Sequence, residues 1–406
     1  MKKLLALLLT LVLALTVLAG CGQEEPAPIH SIPYDITAIP PEETAAVIDG
    51  REIPAQHYFY WLGYSCGNLE YQIHMLNSYY GIYSELFLED GSIDWSASLE
   101  DGQTLSQLAK DRAASTVSYY AAIDALAEDH GVSLTQEDLD AIEADRASAV
   151  ESLGGEDAYA DYLYQTGLTQ EGFTRINAAA YLYQHLLEQV GQEGSGLYLD
   201  PADYDQYRTY ADHILLLTQD QATGEALSDE EIAEKRATME DLLAQLRSSS
   251  DPAALFAQLA DQYSEDPGRA SYPDGYIFSS GEMVQGFEDA AAALAPGEIS
   301  DIIETSYGYH ILLRKDLAEG LASDETGIEE AIRGEYLDQL LADYGQEHPL
   351  EVTEAADAVD AGTYYTRFTA AVDAAKAAKE AQQQAESGGD VDGADDAGEP
   401  SDAPAE

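Results

Sequence analysis

The feature that most constrains the fold is a repeated tetrapeptide, His213-Ile214-Leu215-Leu216 and His310-Ile311-Leu312-Leu313, about a hundred residues apart. Each copy is a short apolar run led by a histidine. Side chains alternate faces along a strand, so each histidine shares a face with the leucine two positions on. The pattern predicts two buried strands that present matched histidines.

Three helical patterns lie between the copies. The first opens with Ser228 and Glu231, a capping-box spacing, and carries Ile232, Met239, Leu242, Leu243 and Leu246 on one stripe. The second starts at Asp251-Pro252, an N-cap residue followed by a proline whose fixed φ suits the first helical turn, and buries Leu255, Phe256 and Leu259. The third carries Phe287, Ala290, Ala291 and Leu294 and stops at Pro296-Gly297. The order is strand, helix, helix, loop, helix, strand.

A resemblance runs along this stretch in one consistent order. Tyr263-Ser264-Glu265-Asp266-Pro267-Gly268, Gly281-Glu282-Met283-Val284 with Phe287, Pro296-Gly297-Glu298-Ile299-Ser300, Thr305 and Gly308-Tyr309-His310-Ile311 together resemble the parvulin family of peptidyl-prolyl isomerases. The resemblance implies an α+β fold, a four-stranded antiparallel sheet wrapped by helices, over residues 204–316. It implies His213, Asp266, Thr305 and His310 as the polar catalytic group, and Met283 and Phe287 as a proline pocket with Phe278 at its edge. The family usually carries Gly-Asp-Leu-Gly before the aromatic residue; here Pro273-Asp274-Gly275-Tyr276-Ile277-Phe278 puts Gly275 where the leucine belongs. Either Tyr276 or Ile277 reaches into the gap, or the pocket is open. A third polar position of the family becomes Tyr307.

At the start of the chain, Lys2 and Lys3 precede an apolar run from Leu4 to Leu18 that ends in Leu18-Ala19-Gly20-Cys21. A basic start, a short apolar run and small residues before a cysteine read as a lipoprotein signal peptide, residues 1–20, with Cys21 as the lipidated residue. The implied location is the extracytoplasmic face of a cell membrane. Cys66 is then the second and last cysteine, so no internal disulfide is available, and its aromatic surroundings favour buried packing.

The proline-bearing residues 21–42 read as a tether. Ala45-Ala46-Val47-Ile48, Asp49-Gly50 and Ile53 predict a hairpin, an opening that resembles the chaperone domain of SurA-type and PrsA-type foldases. Residues 43–198 read as a helical domain, with helix patterns over Leu105–Leu126, after Thr135, around Tyr159–Leu163 and from Thr169 to Val190. Gly191 to Gly196 reads as a hinge. By the same resemblance, a helix within 323–350 returns to the chaperone domain, so that the isomerase domain is inserted between its parts. Residues 351–386 read as an accessory acidic and alanine-rich helical segment, a solvated helix from Gly362 to Ala385, and 387–406 as a disordered acidic tail. The chain holds 28 tyrosines, seven of them among Tyr58, Tyr60, Tyr64, Tyr71, Tyr79, Tyr80 and Tyr83. These either line a surface that holds apolar peptide or sit at the core and its boundary.

Composition then excludes partners. With 18 basic against 77 acidic residues and a formal net charge of -59, the chain lacks the basic footprint of nucleic-acid binding. Such acidity supports solubility, and it can also steer basic unfolded clients. No metal or cofactor motif is present, and amide rotation requires neither. The reading is a lipid-anchored foldase, peptidyl-prolyl isomerase and chaperone for exported polypeptides; the alternative is a holdase with a weak or inactive isomerase domain.

Overall fold

In the computed structural model, residues 30–99, 101–322 and 327–388 are described. In chain order the elements are α1 (Ile32–Thr37), β1 (Thr44–Ile48), β2 (Arg51–Pro54), α2 (Ala55–Tyr80), α3 (Leu105–Asp129), α4 (Gln136–Leu153), α5 (Glu156–Thr166) and α6 (Gln170–Val190). There follow β3 (Thr209–Leu217), α7 (Asp229–Ser248), α8 (Pro252–Tyr263), β4 (Tyr276–Phe278), α9 (Gln285–Ala292), β5 (Ile303–Glu304) and β6 (Gly308–Arg314). The last are α10 (Leu317–Leu321), α11 (Ile328–Glu347), β7 (Glu351–Val352), α12 (Glu354–Asp357) and α13 (Ala361–Gly388). The described residues divide into two compact units, one made of those up to 117, 143–175 and from 350 on, the other of those within 118–142 and 176–349.

In the first unit, β1 pairs with β2 through Asp49 and Gly50, both at positive φ as a tight two-residue hairpin requires. β7 adds to the free side of β1, Ala46 facing Val352. The long α2 buries Tyr58, Phe59, Leu62 and Cys66. Tyr364 of α13 is buried against it, its hydroxyl donating to the Phe59 carbonyl at 3.2 Å. Two expectations are corrected here. Part of the supposed tether is folded, because Ser31 caps α1, Pro33 suits its first turn and Ile32 is buried. The supposed solvated helix from Gly362 to Ala385 is part of α13, whose first turns supply core: Tyr364 is buried, and Tyr364, Tyr365 and Phe368 form an aromatic stripe that the alanine-rich composition conceals. Cys66 is buried and free, as its surroundings suggested.

The second unit contains a four-stranded antiparallel sheet of order β4-β3-β6-β5. Its two central strands are the two tetrapeptide runs. One face carries Ile214, Leu216, Ile311 and Leu313 against Met239, Leu242 and Leu246 of α7 and Phe256 and Leu259 of α8. Both helix starts follow from the sequence: Ser228 and Glu231 form a reciprocal capping box, and Asp251 caps α8 ahead of Pro252. The opposite face carries Ala211, Leu312 and Phe278 beneath Phe287 and Ala291 of α9. At the far end of β3, Tyr210 joins a core made by Ile123 and Leu126 of α3, Leu186 and Val190 of α6, and Ile332, Leu337 and Leu341 of α11. The glycine-rich 191–196 stretch, read as a hinge, lies inside this unit. It is held there because Leu197 and Leu199 are buried in the same core and the Leu199 amide donates to the Val190 carbonyl.

The proposed signal peptide, Cys21 and the tail beyond Gly388 lie outside the described residues. Among the described residues no helix is long and apolar enough to cross a membrane.

Candidate active site

Strand register brings the two histidines together. His213 faces Leu312 and His310 faces Leu215, so the histidines are diagonal neighbours on one face of the β3–β6 ladder, with ring centroids 5.4 Å apart and nearly perpendicular. Phe287 of α9 stands edge-on to both, 5.2 Å from His213 and 5.8 Å from His310.

Asp266 is delivered by the segment after α8, which docks on the open edge of β3. The Leu215 amide donates to Ser264 Oγ, the Glu265 amide to the Leu215 carbonyl, and the Leu217 amide to Glu265 Oε2. Those bonds set Asp266 Oδ2 3.3 Å from His213 Nε2. The approach falls outside hydrogen-bond geometry, and neither ring nitrogen of His213 has a partner. The Tyr276 hydroxyl donates to Asp266 Oδ2 at 2.7 Å and the Gly268 amide to Oδ1 at 3.0 Å. Burial opposes the carboxylate's charge, but the contacts from His213, Tyr276 and Gly268 prevail and lower its pKa to about 2. Thr305 Oγ1 lies 2.8 Å from His310 Nε2, while His310 Nδ1 is buried without a partner. Burial first, then the neighbouring His213, lowers the His310 pKa to about 3, so this imidazole is neutral at physiological pH.

These groups open into a cavity of about 400 Å³ whose lining includes His213, Asp266, Tyr276, Met283, Phe287 and His310. Leu215, Leu217 and Val284 extend its apolar wall, and Gln219, Asp220, Gln221, Glu282 and Tyr307 its polar rim. Met283 is positioned by Glu288, whose Oε1 accepts from the Met283 and Gly281 amides, both at 2.8 Å. Sequence reading missed Glu288; its one signal was a carboxylate within the first turn of the helix after Met283.

Gly275 now has a physical account. Its φ is +99°, and a Cβ there would lie 2.6 Å from the Ala211 carbonyl oxygen, so the position is a close approach of two backbones where no side chain fits. Tyr276 fills the gap instead, stacked on His213 at 5.7 Å. Ile277, the other candidate, is corrected: strand alternation turns it to the opposite face, beside Tyr210 and Gly320. Phe278 shares Tyr276's face but backs Phe287, at 5.7 Å, without lining the cavity.

The antiparallel sheet, the paired central histidines and the apolar cavity beside a fixed carboxylate define a parvulin-type peptidyl-prolyl isomerase domain. Residues 213–316 match the family described as "Rotamase: PPIC-type PPIASE domain". Named relatives are foldases: the chain is 45% identical over 78 residues to "Foldase protein PrsA" of Geobacillus sp. (strain WCH70), covering 18% of this chain and 28% of that protein. It is 32% identical over 161 residues to "Foldase protein PrsA" of Halalkalibacterium halodurans, covering 39% of this chain and 44% of that protein. The chain thus spans less than half the length of these curated relatives. A solved structure of the peptidylprolyl isomerase PrsA from Bacillus cereus aligns at 20% identity and a TM-score of 0.29, over 68% of this chain and 98% of that one.

Proposed function

We propose that this chain is a lipid-anchored extracytoplasmic foldase that isomerises prolyl bonds of exported polypeptides at the cavity beside Asp266 and holds unfolded segments elsewhere on its surface. The observation that carries the isomerase reading is the convergence of Met283, Phe287 and Val284 with Asp266, His213 and His310 on one cavity. Rotation about an X-Pro bond crosses a barrier of ~18–20 kcal/mol set by amide resonance and requires no bond to be made or broken. An apolar wall that grips the proline ring favours the twisted amide, whose nitrogen lone pair is no longer delocalised, over both planar isomers. His213, Asp266, Thr305 and His310 act as the polar group beside the rotating carbonyl. Met283, Phe287 and Tyr276 bind the substrate, and Phe278 supports Phe287 from behind.

The holding role rests on α2, where Tyr64, Tyr71, Tyr79 and Tyr80 are each more than half exposed while Tyr58 is buried. Large aromatic surface left in solvent beside a packed core suits capture of apolar peptide. A holdase-only reading is favoured by one detail: the Tyr276 hydroxyl already occupies Asp266 Oδ2.

The test is exchange NMR of a short prolyl peptide with the chain lacking residues 1–20. Acceleration over the slow uncatalysed rate, lost in Met283→Ala, is the expected result; no acceleration with the protein folded would leave only the holdase. Anchoring is tested by mass spectrometry of residue 21, which should carry a lipid, and by release of a Cys21→Ser chain into the medium.

A further inference from the structure

The cavity's rim carries charge of one sign. Asp220 and Glu282 are exposed lining residues, one after β3 and one before α9, and Asp266 is less exposed. Among the described residues no lysine or arginine lines the cavity. Three of the domain's cations are engaged in ion pairs: Arg208 with both oxygens of Glu335 at 2.6 and 2.7 Å, Lys235 with Glu265, and Arg269 with Asp212 and Asp261. Arg208, whose charge reaches Glu282, is paired with Glu335 and does not line the cavity. Both rim carboxylates are held in place, Asp220 Oδ1 by the Ala222 and Thr223 amides at 3.0 and 2.8 Å and Glu282 Oε2 by the Ser279 amide at 2.6 Å. That the cavity receives a ligand is independently marked by His310, 3% exposed, which lines it with Nδ1 unpartnered.

We infer that Asp220 and Glu282 make this site selective for prolyl bonds preceded by lysine or arginine, and hostile to acidic or phosphorylated residues at that position. The inference rests on the isomerase reading. A proline ring seated on Met283 and Phe287 leaves the preceding side chain at the rim, where a cation meets two carboxylates and an anion meets like charge with no lysine or arginine among the described lining residues. An exposed pair of charges is worth little alone, so the effect is moderate and salt-dependent.

The experiment compares blocked peptides Ala-Xaa-Pro-Phe with Xaa lysine, alanine or glutamate, measured by exchange NMR with the chain lacking residues 1–20, together with binding from shifts in the same spectra. The expected order is Lys, Ala, Glu, with roughly three- to tenfold between successive members at low salt and little difference at about 1 M salt, where the Debye length falls to ~3 Å. In the Asp220→Asn, Glu282→Gln double variant, whose amide oxygens can still accept the same backbone bonds, the Lys-to-Glu ratio should collapse toward one. Equal turnover of all three peptides, or a ratio the double variant leaves unchanged, overturns the inference while the isomerase reading stands. If no peptide is turned over, the isomerase reading fails, and the binding order decides: tighter lysine peptide supports rim selectivity, and equal binding overturns it.

Discussion

His310 and Asp266 show how burial and neighbours set charge at single residues. A histidine whose folded pKa lies near 3 against an unfolded value of 6.5 binds fewer protons folded than unfolded between those values. Its neutral form therefore contributes stability that is fully present above about pH 6.5 and is lost as pH falls toward 3, by an amount on the order of a few kcal/mol. Asp266 acts in the same sense lower down, its contribution present above its unfolded pKa near 4 and lost as pH falls through about 2. Denaturant melts should show His310→Gln flattening the decline between pH 6 and 4, and side-chain NMR should find His310 uncharged down to about pH 5. Tyr276→Phe removes the hydroxyl from Asp266 Oδ2 while keeping the ring on His213. If that hydroxyl holds turnover down, the variant's kcat/KM rises a few-fold; an unchanged value would show that the bond does not compete with substrate.

At the scale of elements, Gly275 is the joint on which β4 docks. Gly275→Ala forces a Cβ into the Ala211 backbone at a φ that side chains rarely adopt, and should cost on the order of 1–3 kcal/mol, read as a lowered urea midpoint. The helices of the isomerase domain were legible because their boundary signals are local: a capping box at Ser228 and an Asp-Pro start at 251 act within one turn. β5 is two residues long and β4 three, too short to show a period; both exist because β3 and β6 offer edges to pair with. The same limit explains Ile277, whose face depends on its register against Tyr210 and on nothing within its own segment.

For the whole molecule, α13 carries the largest departure from what composition suggested. Tyr364→Ala should destabilise the first unit by ~3–5 kcal/mol, since it empties a fully buried aromatic position against Phe59 and removes a hydrogen bond to its carbonyl; thermal melts followed by circular dichroism would record it, and a change under 1 kcal/mol would mean that this packing is dispensable. The strands at His213 and His310 and the helices between them were legible in the sequence, because strand alternation and helix caps are properties of neighbouring residues, while the grouping of His213, Asp266, Thr305 and His310 came from the order of short motifs that resembles the parvulin family. Only the folded chain shows that Gly275 marks a backbone contact beside which Tyr276 fills the gap, that Ala361 and Tyr364 are core, and that among the described residues the cavity rim is lined by carboxylates and by no lysine or arginine. Each of those depends on which distant segments meet, and contacts between segments a hundred or three hundred residues apart leave no periodic trace in the chain.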